Sequence, residues 1–356
     1  MAHRPRHGRR EAPCAGGRVA ATEAYLMAMR WKAERLGWGS RAGGGVGSRR
    51  TLALVEGMFA VLVWGASFIA TKVALAEVSP VTVVWVRFAM GVAVLAVALV
   101  VSGQLAPVPP GTVAMFALLG LLGITFHQWL QSTALVTSRA STSGWIVATT
   151  PVFMALLGRI VLHERLGGAR AAGIAIAGAG VVLVVTRGQI ATLLHGQFGA
   201  PGDALILLSA PNWAVFSVLS RRVLRAQPAI RTMAGVMGLG WLATTGLLAA
   251  GPGFTELPKL SSRGWTALVF LGIACSGLAY IAWYDALQHM PASQAGALLY
   301  LEPLVAMAVA SAVLGEPVTA ATVAGGAVIL AGVWLVNRGS GDAPAGAELG
   351  VGPAEE

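Results

Sequence analysis

Residues 120–184 return, without insertion or deletion, as residues 272–336. A shift of 152 positions carries Ala134-Leu135 onto Ala286-Leu287, Ala140-Ser141 onto Ala292-Ser293, Gly144 onto Gly296 and Pro151 onto Pro303. It also carries Val161-Leu162 onto Val313-Leu314, Glu164 onto Glu316, Gly173 onto Gly325 and Gly180 onto Gly332. Aliphatic matches arise by chance in an apolar chain, whereas matched Pro, Glu and Gly do not, so the chain is two copies of one unit.

The unit is a membrane unit. With 56% hydrophobic and 11% charged residues and a mean hydropathy of +0.72, the chain is too apolar for a soluble domain of its length. From Leu52 onward, apolar runs of about 20 residues recur, each long enough to cross about 30 Å of hydrocarbon as a helix. Ten spans are predicted, at 52–72, 81–101, 112–136, 141–162, 169–187, 203–220, 230–250, 265–288, 292–314 and 319–337. Breakers such as Ser79-Pro80, Pro201-Gly202 and Met290-Pro291 separate them and imply hairpins of neighbouring helices.

Five spans per unit is an odd number, so the second copy enters the bilayer from the opposite side. The predicted fold is therefore all-α: a polytopic membrane protein of ten transmembrane helices arranged as two inverted five-helix repeats. The repeats cover 51–187 and 203–338, joined by a loop at 188–202. Inverted repeats are an architecture of secondary transporters, because two similar bundles open one face or the other by exchanging conformations.

Charge is concentrated at one end. Residues 1–50 carry a net +8 of the chain's +10, and read with 339–356 as disordered tails, so no nucleic-acid partner is expected. Lys and Arg are biased eleven to five toward the side holding Arg159, Arg170, Arg231 and Arg338, which predicts a multi-pass protein of the cell (inner) membrane with both termini cytoplasmic. Cys14 and Cys275 form no disulfide or metal pattern, no GxxxxGK[ST] loop marks an ATP-driven pump, and no HExxH occurs; no cofactor or metal is expected.

Polar groups inside spans carry the functional reading, since an ionisable side chain at bilayer depth costs at least about 2.5 kcal/mol. Glu302 falls mid-span, directly before Pro303, whose missing N–H loosens the helix. A carboxylate beside an opened turn can take a proton, a cation or a substrate ammonium; a structural Glu is the competing role. Its repeat-equivalent is Thr150, and that of Asp285 is Thr133, so carboxylates stand in the second half where the first has hydroxyls. His127, Gln128 and Gln131 form a polar stripe on span 3. Span 8 presents Tyr280, Trp283 and Tyr284, which with Trp64, Trp145 and Trp213 are candidates to line a cavity for flat or cationic solutes or to pack. Glu302 and His127 are the candidates for proton coupling. Pro151 and Pro303, with the glycines of spans 3 and 8, are the candidate hinges. Arg87 is expected to attract a carboxylate, pair with an acid or snorkel; Lys72 to snorkel; Glu164 and Glu316 to be structural, pairing with basic loop residues.

These residues carry a resemblance. Ala140-Ser141-Thr142-Ser143-Gly144, Pro151, Leu162-His163-Glu164, Gly173 and Gly180 recur as Ala292 to Gly296, Leu301-Glu302-Pro303, Leu314-Gly315-Glu316 and Gly325-Gly326. The pattern resembles the EamA domain of the drug/metabolite transporter superfamily, and two tandem copies match its ten-helix form. Trp64-Gly65-Ala66-Ser67-Phe68 is similar to that family's first helix. The resemblance implies export of a small metabolite, such as an amino acid, or of a drug-like compound, through a cavity lined chiefly by helices 1, 3, 4, 6, 8 and 9. It names no substrate and leaves the oligomeric state open, a homodimer included. The alternatives are an intramembrane hydrolase built on a Ser/His pair and a passive facilitator or channel.

Overall fold

The computed structural model describes residues 46–161, 167–194, 199–289 and 298–338. Glu164, Ala292 to Gly296 and most of both tails lie outside the described residues. Ten apolar helices are described: α1 (Thr51–Leu75), α2 (Pro80–Val101), α3 (Pro110–Thr137), α4 (Ala140–Leu157), α5 (Gly168–Val185), α6 (Pro201–Ser220), α7 (Ala229–Ala249), α8 (Ser262–Leu287), α9 (Leu299–Leu314) and α10 (Ala320–Asn337). All but α9 are at least 18 residues long, enough to span by themselves; the part of the ninth predicted span before Leu298 is outside the described residues.

Local sequence sets the helix starts. Pro80, Pro110 and Pro201 each occupy the first turn of α2, α3 and α6, where a missing N–H leaves no bond unmade. At the other end, α9 terminates on Gly315, whose φ of +65° is the left-handed conformation that glycine adopts without strain.

The inverted relation of the halves is visible in the packing of α5 on α10. A Cβ added at Gly173 would stand 2.7 Å from the Gly332 carbonyl oxygen, and one at Gly180 would stand 2.8 Å from that of Gly325. Residue numbers rise along α5 as they fall along α10, so these repeat-equivalent helices are antiparallel. The 152-residue shift also turns the first glycine pair into the second. Small residues let the two backbones approach this closely.

The equivalent pair α2 and α7 is antiparallel as well. Trp85 Nε1 on α2 donates to Thr245 Oγ1 on α7 at 2.9 Å, while at the opposite end Arg231 Nη2 donates to the Gln104 carbonyl at 2.8 Å. Each of these helices also packs parallel to one from the other half. Gly120 of α3 lies against Val236 and Gly240 of α7, and its repeat-equivalent Gly272 of α8 lies against Arg87 and Met90 of α2. The halves therefore interleave around a common twofold.

Two departures from regular helix fall at repeat-equivalent places. Residues Leu121–Phe126 of α3 and Phe270–Leu278 of α8 are π-helical. π-helix misaligns the local backbone hydrogen-bond ladder, and in each case a side chain of the other half takes a nearby carbonyl. Asn212 Nδ2 of α6 donates to the Leu122 carbonyl at 2.9 Å, and Trp64 Nε1 of α1 donates to the Cys275 carbonyl at 3.2 Å.

Candidate functional site

α4 is broken mid-way, and the described part of α9 begins on an irregular turn. In the fourth span, a helix ending at Val147 gives way to a second segment beginning at Thr150, with Pro151 in its first turn. In the ninth, a 3₁₀ turn at Leu299–Leu301 precedes the regular helix that Glu302 opens and Pro303 follows. Thr150 and Glu302 are repeat-equivalents, so the two breaks share one origin: a proline that cannot donate to the preceding turn. An acid at the start of a helix also faces the positive end of its dipole.

Glu302 sits where three helices crowd. A Cβ at Gly65 of α1 would lie 2.8 Å from the Glu302 carbonyl oxygen, and one at Gly144 of α4 would lie 2.8 Å from Ala306 Cβ. The carboxylate keeps partial exposure and, among the described residues, makes no hydrogen bond or ion pair. An ionisable group within a span is costly, so such an acid marks a candidate binding position.

Aromatic rings approach from two helices. Trp64 of α1 meets Tyr280 edge-on and Trp283 at a tilt, both with centroids 5.4 Å apart. Tyr284 is half-buried one turn beyond Tyr280, and Gln131 of α3 is half-buried as well. His127 is buried, its ring 4.7 Å from that of Trp213 on α6, and its Nδ1 has no hydrogen-bond partner among the described residues.

Trp145 does not join these groups. It is 1% exposed, packed against Gly326 of α10 in the core formed with Ala177, Val181 and Ile329, because the glycine leaves a ring-sized space there.

Arg87 corrects the expectation of an acid partner or snorkelling. It is only 6% exposed, with Nη1 donating to Gln128 Oε1 at 3.0 Å and Nε to Ser276 Oγ at 3.1 Å. Ser276 precedes Tyr280 by one turn on the same face of α8; extending the aromatic stripe back four residues finds it. Lys72 does not snorkel freely either, since Nζ donates to the carbonyls of Leu135 and Ser138 and caps the end of α3. Glu316 finds backbone instead of a basic loop residue, accepting from the N–H groups of Ala140 and Ser141. Asp285 lies near the end of α8, half-exposed, 3.8 Å from His289. A largely apolar groove of about 370 Å³, lined by Val92, Leu99, Phe116 and Arg231, lies apart from these residues.

The fold is matched by known proteins. Residues 51–186 and 200–338 each match the EamA-like transporter family. The chain belongs to that family. It is a multi-pass membrane transporter with a small-molecule substrate, and the intramembrane hydrolase is set aside. An uncharacterized transporter of Archaeoglobus fulgidus is 28% identical over 279 residues, covering 78% of this chain and 94% of that protein. A probable terminal-alkyne amino-acid exporter of Streptantibioticus cattleyicolor is 29% identical, over 63% of this chain and 73% of its own. A probable amino-acid metabolite efflux pump of Salmonella typhimurium is 28% identical, over 78% and 92%. A solved crystal structure superposes with a TM-score of 0.55 at 24% identity, covering 80% of this chain and 98% of that one, and is similar in fold.

Proposed function

We propose that this transporter is a secondary-active exporter of a small metabolite, an amino acid or related solute, working by alternating access between its inverted repeats. The observation that carries the reading is the Glu302 carboxylate, without a hydrogen bond or ion pair among the described residues, at the 3₁₀-to-α junction of α9, set where α1, α4 and α9 of opposite halves meet. Trp64, Tyr280, Trp283 and Tyr284 supply apolar and cation-attracting surface beside it. Trp213 of α6 packs in one cluster with Tyr280 and Tyr284, and Gln131 of α3 is kept as a polar candidate of the same site. The relatives described as an amino-acid exporter and an amino-acid metabolite efflux pump support the direction and the solute class.

Alternating access needs two bundles that rock about the site. Pro151 and Pro303, with the π-helical stretches of α3 and α8, are the places where the ladder is already interrupted, so they bend at least cost. Glu302 is the group proposed to exchange a proton or a solute ammonium, with His127 as the second candidate. The Lys/Arg bias supports reading it as a cell (inner) membrane protein with both termini cytoplasmic.

The test is efflux from proteoliposomes loaded with an amino-acid mixture, with and without a pH gradient, for wild type and Glu302→Gln. A coupled exporter is accelerated by the gradient in wild type and indifferent to it in the variant. Equal rates in all four conditions would remove the coupling role and leave a facilitator.

A further inference from the structure

A guanidinium is charged at any physiological pH, so a buried arginine must be neutralised by its surroundings or await a partner. Arg87 lies about two turns into α2 and is buried. Its two side-chain acceptors, Gln128 Oε1 and Ser276 Oγ, are both neutral. Among the described residues no Asp or Glu comes within ion-pair distance of it. Two of five donor hydrogens are accounted for by these bonds, and the fork that remains has the planar geometry that a carboxylate accepts.

The position matters as much as the charge. Gln128 belongs to the polar stripe of α3 beside His127, and Ser276 precedes Tyr280 by one turn of α8. Arg87 therefore ties the two faces that bound the proposed site. Tyr280 meets the ring of Trp64 with centroids 5.4 Å apart, and a Cβ at the next residue, Gly65, would lie 2.8 Å from the Glu302 carbonyl oxygen.

We propose that Arg87 is the receptor for the solute's carboxylate, and that the transported solutes carry one together with an amine that faces Glu302. The proposal rests on the carrier reading above and adds a chemical requirement to it. Arg87 then acts as a specificity-determining residue, with Gln128 and Ser276 holding its fork in register and leaving its charge for the solute. A purely structural Arg87 would instead be a pin between α2, α3 and α8.

The Gln128→Glu substitution separates the two roles, because it places an isosteric carboxylate on the bonded guanidinium. A structural pin is left intact or strengthened by it, whereas a solute receptor is occupied by its own protein. Proteoliposomes would be loaded with the twenty L-amino acids, the corresponding amino-acid amides and the cationic dye ethidium, and release followed by mass spectrometry and fluorescence. The expected result is release of amino acids at least about tenfold faster than of their amides, a loss of about tenfold or more in Gln128→Glu and in Arg87→Gln, and a Gln128→Glu melting temperature at or above that of wild type. Amides released as fast as acids, or undiminished amino-acid release by Gln128→Glu, would overturn the proposal. Release of the dye without any amino acid would overturn it and leave the carrier standing. Release of nothing would remove the carrier reading, and this proposal with it.

Discussion

The Glu316 carboxylate at the end of α9 grips Ser141 at the start of α4, accepting from its N–H at 3.1 Å and its Oγ at 2.6 Å, and from the Ala140 N–H at 2.9 Å. The left-handed Gly315 turns the chain so that the glutamate reaches a helix terminus 175 residues away. A charge on free N–H groups at a helix start satisfies donors that have no partner within the helix, and the dipole adds to the attraction. This joins the two halves at one face, so opening that face must break it. Glu316→Gln, which keeps one acceptor but loses the charge, is expected to cost about 1–2 kcal/mol of stability. It is also expected to speed maleimide labelling of a cysteine placed at Ser143, which is buried at the same helix start, in a background lacking Cys14 and Cys275. Unchanged melting and unchanged labelling would show that the grip does not hold that face closed.

The α5–α10 seam depends at its glycines on the absence of side chains. A Cβ at Gly180 would stand 2.7 Å from the Ile329 nitrogen and 2.8 Å from the Gly325 oxygen, both backbone atoms that cannot step aside. Gly180→Leu is expected to cost at least about 3 kcal/mol, by the upper range for overpacking, and to reduce the yield of monodisperse protein in detergent. Gly178→Leu, less than one turn away where a Cβ meets nothing within 4 Å, is the control that should be recovered at wild-type yield.

That seam is legible in the amino-acid sequence, because the repeat itself pairs Gly173 with Gly325 and Gly180 with Gly332, and an odd number of spans forces the copies to be inverted. The helix breaks at Thr150 and Glu302 are legible for a similar reason: proline announces its effect on the backbone wherever it stands. The partners of charged residues are not. Local pattern pairs Glu316 with a basic loop residue and sends Arg87 to a carboxylate solute, an acid or the interface, yet within the protein the first meets amide groups and the second meets Gln128 and Ser276. Which polar atom satisfies a charge is decided by helices brought together from far along the chain, and no local pattern encodes it. The π-helical stretches are hidden likewise, since glycine at 120, 123, 272 and 277 permits an irregular ladder without requiring one.

Two further carboxylates cap helices between loops of opposite halves. Glu77 accepts from the Ser261 N–H at 2.7 Å and Oγ at 2.6 Å at the start of α8, and Glu256 accepts from the Ser79 N–H at 2.9 Å and Thr82 Oγ1 at 2.6 Å at the start of α2. The Ser261 bonds, aided by Arg263, hold Glu77 below the usual 4.5. Burial opposes ionisation of Glu256, but the Thr82 and Ser79 bonds and Lys259 outweigh it, so this group is also held below 4.5. A carboxylate that binds its proton less tightly when folded stabilises the fold above the unfolded value and ceases to do so as pH falls through the folded one. The contribution of this pair is thus full at pH 7 and is lost below about 4.5. The Glu77→Gln, Glu256→Gln double variant should melt below wild type at pH 7, and the gap should narrow progressively as the pH is taken down below about 4.5. A gap that persists unchanged at low pH would mean that charge plays no part in these caps.

Gly65 tests whether the crowding around Glu302 matters to function as well as to packing. An added Cβ would lie 2.7 Å from Val305 Cβ and 2.8 Å from the Glu302 carbonyl oxygen, so even alanine must push α1 away from the broken turn of α9. Overpacking of this kind costs about 1–3 kcal/mol. The displacement falls on the turn that carries Glu302, on the same helix, α1, that presents Trp64 to Tyr280 and Trp283. Gly65→Ala is therefore expected to lower efflux in proteoliposomes by more than its loss of folded protein accounts for. Gly178→Ala, in open space on α5, should instead be neutral or up to about 1 kcal/mol more stable, because alanine is the better helix former. Rates normalised to folded protein separate a displaced site from a weakened fold. If Gly65→Ala transports at the wild-type rate per folded molecule, the close approach of α1 serves packing alone and Glu302 does not need its backbone held there.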